Sequence, residues 1–237
     1  MSLDFYQDRL HPCSYLEGRQ ARNIYPDPLR PISSKLYSQL IQHGFRRSGE
    51  HVYRPFCPAC AACVPVRINV REFRPNRSQR RCLRQNQQVT MHLHPADFNE
   101  QHYDLYCRYL QSRHPGGGMD NPTPHSYQQF LTSSWSDTRF IEFHEKDQLL
   151  AVAVTDFVSD AASAFYTFFE PAMTSRSLGT LAILKQIELA RQRGLNYLYL
   201  GYWIEASQKM NYKTRFSVLQ YFDGQWHDFD KKALNNQ

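Results

Sequence analysis

The chain has 237 residues, 28.0 kDa, with 41% hydrophobic and 21% charged residues and a net charge of +6. That length suits one to two domains, and the composition is that of a packed core, which excludes a disordered chain. No apolar run reaches the ~18 residues of a membrane span; the longest is Leu149-Leu150-Ala151-Val152-Ala153-Val154, and the start lacks the basic-then-apolar pattern of a secretory signal. A cytoplasmic protein without a membrane partner is the expectation.

Residues 1–31 are interrupted by Pro12, Pro26, Pro28 and Pro31 and read as irregular. Ser33 or Ser34 can cap a short helix with Leu36, Tyr37, Leu40 and Ile41 on one face, ended by Gly44. Phe45 to Phe56 reads as a strand, a Ser48-Gly49 turn and a second strand. Val64 to Val70 is a short strand, Ser78 to Gln88 a polar helix and Val89 to Leu93 a further strand. A helix from Glu100 to His114 carries Tyr103, Tyr106, Tyr109 and Leu110 at helical spacing, which suits core packing. Pro115-Gly116-Gly117-Gly118 should end it in a loop. Three strands follow as a meander, Phe140–Glu145, Leu149–Val158 and Ser163–Glu170. Then come a helix from Leu178 to Arg193 stopped by Gly194, a buried strand Tyr197–Leu200, and a last strand within Phe216–Phe222.

Antiparallel strands, then a helix, then a strand is the order of an acetyltransferase-like α/β domain with a splayed mixed sheet. Pro95 and a change in charge suggest a boundary: a small N-terminal α+β domain over residues 1–97 and the acetyltransferase-like domain over 98–237. The helix start at Ser177-Leu178-Gly179-Thr180 suits an anion. One glycine there is too few for a backbone wrapped around a pyrophosphate, so neither CoA nor a nucleotide cofactor is expected.

The positive charge is concentrated. Residues 1–100 hold 15 basic and 8 acidic side chains, and residues 101–237 hold 13 and 14. Arg67, Arg71, Arg74, Arg77, Arg80, Arg81 and Arg84 face a single acid, Glu72, in the densest stretch. Clustered arginines suit phosphate, for which the planar guanidinium is a bidentate partner; the alternative is a solvated face.

Six cysteines are present. Cys57-x-x-Cys60-x-x-Cys63 lets successive thiolates converge on one centre, with Cys13 as a possible fourth ligand. The spacing leaves three readings: an iron–sulfur cluster, tetrahedral zinc, or thiols without metal. Cys82 and Cys107 fall in helical patterns and read as packing residues.

Several segments in order resemble the aminoacyl-tRNA–protein transferase family, the arginyl- and leucyl-transferases of the N-degron pathway. They include His11-Pro12-Cys13-Ser14-Tyr15-Leu16, Gly44-Phe45-Arg46-Arg47-Ser48-Gly49, Tyr53-Arg54-Pro55 running into the cysteines, and Ser78-Gln79-Arg80-Arg81. Further along are Ala151-Val152-Ala153-Val154-Thr155-Asp156, Ser163-Ala164-Phe165-Tyr166, Ser177-Leu178-Gly179-Thr180, Leu200-Gly201-Tyr202-Trp203-Ile204 and Met210-Asn211-Tyr212-Lys213. The compact length and the cysteine pattern resemble the bacterial, leucyl-transferring branch. The resemblance implies transfer of Leu from Leu-tRNA to an N-terminal Asp or Glu. Transfer from Arg-tRNA, or a non-enzymatic redox-responsive RNA-binding module, are the alternatives. Eukaryotic relatives are associated with an iron–sulfur cluster.

An aminoacyl ester is already activated, so a free amine can attack it directly. The protein must hold the donor, hold the acceptor and stabilise the oxyanion. Asp156, Tyr166, Tyr202 and Lys213 are the expected catalytic set, with Asp156 alternatively a structural anchor. Arg54, Arg67 and Arg215 are expected to bind the acceptor carboxylate. Phe165, Phe168, Ser177, Gly179, Thr180, Arg77, Arg80 and Arg81 are expected on the donor and its tRNA.

Overall fold

The computed structural model describes residues 3–113 and 121–230. The expected loop at Pro115–Gly118 lies outside the described residues. The first 31 residues are not irregular. They hold β1 (Phe5–Gln7), β2 (His11–Pro12), β3 (Gln20–Ala21) and β4 (Asn23–Pro26). Helix α1 (Ser34–Gln42) starts where Ser33 Oγ accepts from the Leu36 amide at 3.2 Å. It buries Tyr37, Leu40 and Ile41. The hairpin β5 (Arg46–Ser48) and β6 (His51–Pro55) follows. Strands β1, β4, β6 and β5, in that order, make a small sheet.

The chain then builds β7 (Val64–Asn69), α2 (Arg77–Gln85), β8 (Thr90–Pro95), α3 (Glu100–Arg113) and α4 (Pro124–Leu131). The meander follows as β9 (Asp137–Glu145), β10 (Gln148–Val158) and β11 (Ala161–Phe169). Last come α5 (Leu178–Gln192), β12 (Tyr197–Trp203), a 3-10 turn over Asn211–Arg215, β13 (Leu219–Phe222) and β14 (Trp226–Asp228).

The central sheet has eight strands in the order β14-β13-β7-β12-β11-β10-β9-β8. It is mixed, because β11 and β12 run parallel while the other pairs are antiparallel. This is the mixed α+β architecture that the element order implies. The sheet ignores the division expected near residue 97: β7 and β8 come from before it and sit in one sheet with β9 to β14.

Alternation along the strands feeds two cores. Ile141, Phe143, Ala151 and Ala153 face Leu181, Leu184 and Ile187 of α5. Phe140, Val152 and Val154 face Leu105, Tyr106 and Leu110 of α3 and Tyr127 and Leu131 of α4. The tyrosines of α3 are therefore packing residues on this second face. Helix α4 has no counterpart in the sequence-based expectation, although Thr123 and Ser126 form a capping box on either side of its Pro124.

Candidate active site

The parallel pair β11–β12 is joined over only three residues, Ala161–Ser163 against Tyr197–Tyr199. Beyond them the strands part. The other edge of β12 stays paired with β7 through Trp203, with a register shift between Tyr199 and Gly201. The parting leaves backbone carbonyls without strand partners, and two buried cations take them. Arg46 donates from Nη2 to Ala164 O on β11 at 3.2 Å. Lys213 donates from Nζ to Tyr202 O on β12 and stands 3.3 Å from Met210 Sδ. Both side chains are buried, and neither has a carboxylate partner among the described residues. Burial, reinforced by the Arg46 charge, brings the Lys213 ammonium down to about 7, with Cys63 opposing weakly.

The other expected catalytic residues are placed differently. Asp156 is completely buried at 0% exposure. It accepts from Arg47 Nε at 2.9 Å and Nη2 at 2.8 Å, from Thr138 Oγ1 at 2.7 Å and from Tyr37 Oη at 3.2 Å. Arg47 in turn donates to the carbonyls of Gly49, Leu131 and Thr132 and lies over the Phe165 ring. Asp156 thus has the geometry of an anchor that fastens the β5–β6 hairpin and the end of α4 to β10. Tyr202 Oη donates to Gly44 O at 2.9 Å, and burial holds its phenol well above the ordinary tyrosine value. Tyr166 packs among Tyr106, Tyr109 and Phe130, and its buried hydroxyl has no hydrogen-bond partner among the described residues. Phe168 lies in the core behind the sheet, against Tyr106 and Tyr127.

The arginines expected on the acceptor do not gather. Arg67 is stacked between Tyr197 and Trp226 at 3.6 and 4.1 Å and donates to Gln220 Oε1. Arg54 donates to His43 O and lies over Phe45. Arg215 is exposed and lines a cleft with Arg81 and Arg84 of α2.

That cleft joins the two basic features of the sequence. Helix α2 begins at a capping box in which Asn76 Oδ1 accepts from the Gln79 amide and Gln79 Oε1 from the Asn76 amide. Gln79 and Cys82 face inward, so Arg77, Arg80, Arg81 and Arg84 are exposed. Asn86 docks the helix on the entrance to α5, donating to Arg176 O at 2.9 Å, while Arg176 Nε donates to Asn86 Oδ1. The result is a cleft of about 790 Å³ lined by Arg81, Arg84, Ser177, Thr180, Tyr212 and Arg215. Arg77 and Arg80 lie on the same helix outside its lining. Gly179 sits in the first turn of α5, where an added Cβ would stand 3.2 Å from Phe169. The turn Asn211–Arg215 ties cleft to gap: Tyr212 and Arg215 face the cleft, and Lys213 between them reaches Tyr202.

Cys13, Cys57, Cys60 and Cys63 all line a separate cavity of about 310 Å³, with Tyr15, Tyr53 and Tyr202. Burial, then the neighbouring Cys57, Cys13 and Cys60, push the Cys63 thiol up to about 12. Soft thiols are the donor set for iron or zinc. As arranged, no three His, Cys, Asp or Glu side chains among the described residues are placed to hold a metal ion. The four thiols share this cavity without converging on one centre as arranged.

Two family models match the chain. The N-terminal model of arginine-tRNA-protein transferase covers residues 11–81 and the C-terminal model covers residues 101–223. The chain belongs to this family and is an aminoacyltransferase. Relatives carrying the name aspartate/glutamate leucyltransferase match it over nearly their whole length. The protein from Alcanivorax borkumensis is 47% identical, covering 96% of this chain and 94% of the relative. That from Stenotrophomonas maltophilia is 49% identical, with coverage of 96% and 94%. That from Thiobacillus denitrificans is 50% identical, with coverage of 94% of each. Among solved structures, FemX superposes with a TM-score of 0.44 at 7% identity, covering 83% of this chain and 79% of FemX.

Proposed function

We propose that this chain moves leucine from Leu-tRNA to the α-amine of proteins beginning with Asp or Glu, in the cytoplasm where charged tRNA is found. The observation that carries the proposal is the 47–50% identity, over almost the full length, to relatives named for that reaction. The arrangement of the site supports it. In this reading Arg81, Arg84 and Arg215 hold the acceptor stem by its phosphates, and Ser177 and Thr180 receive the anion nearest the end of the RNA. Tyr212 is placed for the terminal base to stack upon. Phe165 and Tyr166, on β11 beyond the parting, are offered as the apolar wall for the leucyl side chain.

The chemistry asks for positioning more than activation. An α-amine has a pKa of roughly 7.7–8.0, so a useful share is neutral at cellular pH. Its nitrogen attacks the ester carbonyl, the C–N bond forms, and the C–O bond to the ribose breaks, the departing ribose oxygen taking up a proton to leave as a hydroxyl. Lys213, at about 7, is the group proposed to take the proton the amine loses. Holding amine and ester together is worth roughly 7–11 kcal/mol of the barrier.

The test is mass spectrometry of an Asp-starting peptide incubated with the protein and a mixed pool of charged tRNAs. A gain of one leucine supports the reading. A gain of arginine instead transfers it to the other donor. Retention of tRNA without any gain, under any charging, leaves an RNA-binding module and ends the proposal.

A further inference from the structure

Arg46 is a buried cation with no negative partner among the described residues. Among them its guanidinium has one hydrogen bond, to Ala164 O at 3.2 Å, and its Nη1 is buried without a partner. The contrast with the adjacent residue is informative, since Arg47 is neutralised by Asp156. A charged group out of water normally has a counter-charge or a full set of hydrogen bonds. Arg46 has neither, and Lys213, the other basic group acting within this gap, is a base whose ammonium it disfavours.

The backbone makes room for the guanidinium itself. Gly201 adopts φ +82°, and a Cβ placed there would stand 3.2 Å from Arg46 Cζ and 3.4 Å from Nε and Nη2. The guanidinium therefore lies flat against bare backbone at the parting of β11 and β12. Tyr15, Tyr53 and Tyr202 line the neighbouring cavity, and the Arg46 charge acts on all three phenols. A buried guanidinium with one hydrogen bond, beside a partly aromatic cavity, suits a small planar anion.

We propose that Arg46 receives the side-chain carboxylate of the acceptor's N-terminal Asp or Glu; this rests on the leucyl-transfer reading above. A carboxylate is favoured over a tRNA phosphate because Arg46 is buried. A phosphodiester continues on both sides and suits exposed arginines, which the α2 cleft supplies. The side chain of an N-terminal residue is a chain end and can reach a buried group. Arg46 then fixes the first residue so that its α-amine meets the ester held at the parted strands.

The experiment compares Arg46→Met with the unaltered protein, using Leu-tRNA and peptides differing only in their first residue, Asp or Asn. The unaltered protein should favour Asp, and Arg46→Met should lose on the order of 100-fold in kcat/KM for Asp, within the range for stranding one half of a buried charge pair. Its rate on Asn should fall less, because only the influence of Arg46 on Lys213 is lost there, so the preference for Asp over Asn should collapse, while its affinity for tRNA and the salt dependence of that affinity should stay as they were. If Arg46→Met still prefers Asp to the original degree, the inference is overturned. It is also overturned if the variant loses tRNA affinity with a shallower salt slope, which would make Arg46 a phosphate contact. Should Arg46→Met fail to fold, Arg46→Gln is read on the same peptides with the same outcomes. Failure of the unaltered protein to act on the Asp peptide would instead count against the leucyl-transfer reading itself.

Discussion

Replacing Asp156 by Asn separates an anchor from a proton acceptor. The carboxylate is fully buried and accepts from Arg47 twice, from Thr138 and from Tyr37, at 2.7–3.2 Å. Asn keeps the shape but removes the charge that neutralises Arg47, which is itself buried. Breaking a buried pair from one side costs about 3–5 kcal/mol because the remaining charge is stranded. At roughly 2–4 °C per kcal/mol for a chain of this size, the melting midpoint should fall by roughly 6–20 °C. The assay is a thermal melt followed by circular dichroism, paired with leucyl transfer measured well below the variant's midpoint. Transfer per folded molecule should be largely kept. In an Arg47→Met background the same Asn change should cost less, by about 2 kcal/mol, because no cation is left to strand. A melt like that of the unaltered protein, with transfer abolished, would refute this reasoning and return Asp156 to the chemistry.

Three further outcomes are expected. Arg81→Ala, Arg84→Ala and Arg215→Ala should each weaken tRNA binding and reduce the salt slope of log K by about 1 where a phosphate contact is lost; filter binding from 50 to 200 mM salt reads this, and unchanged slopes in all three would remove the cleft from the RNA path. Lys213 sits at about 7 when folded and near 10.4 when unfolded, so between these values the unfolded chain binds the extra proton and stability rises with pH. Urea titrations should show a gain of up to about 2 kcal/mol between pH 7 and 8.5 relative to Lys213→Met; Cys63, raised in the folded state, works the other way as pH passes the unfolded thiol value of about 8.5, and is present in both proteins. Gly49→Ala places a Cβ 2.2 Å from Gln129 O at φ +56°, so it should lower the melting midpoint by several degrees, and an unchanged midpoint would mean that the hairpin and α4 do not approach so closely.

Much of the secondary structure was legible because its signals are local. Ser33 caps α1 as its hydroxyl chemistry suggests, and Leu181, Leu184 and Ile187 mark the buried stripe of α5. The meander β9–β10–β11 was visible as apolar runs cut by polar turns. Strands β1 to β4 were not, because segments of two to four residues hold too little alternation to register. The arginine block and the start of α5 were each visible, but not that Asn86 and Arg176 would lock them into one cleft. Arg46 was missed for a deeper reason. Neighbouring strand residues point to opposite faces, so a pair of arginines reads as having one side in water. Here β5 is covered on both: Arg46 reaches Ala164 and Arg47 reaches Asp156. The sequence offered the segment Gly44-Phe45-Arg46-Arg47-Ser48-Gly49 and, at a distance, Gly201, whose missing side chain makes room for the guanidinium.

Strand β7 has a consequence for how the molecule is made. It is translated early, yet its two neighbours in the sheet are β12 and β13, and Arg67 finds Gln220 across 153 positions of chain. At 5–20 residues per second, the ribosome needs about 8–30 s to deliver that partner. During that interval Val66 and Ile68, both wholly buried in the finished protein, have nothing to lie beside. The nascent front portion should therefore be a client for holding chaperones until synthesis is nearly complete, and a fragment stopped before β12 should be insoluble on its own.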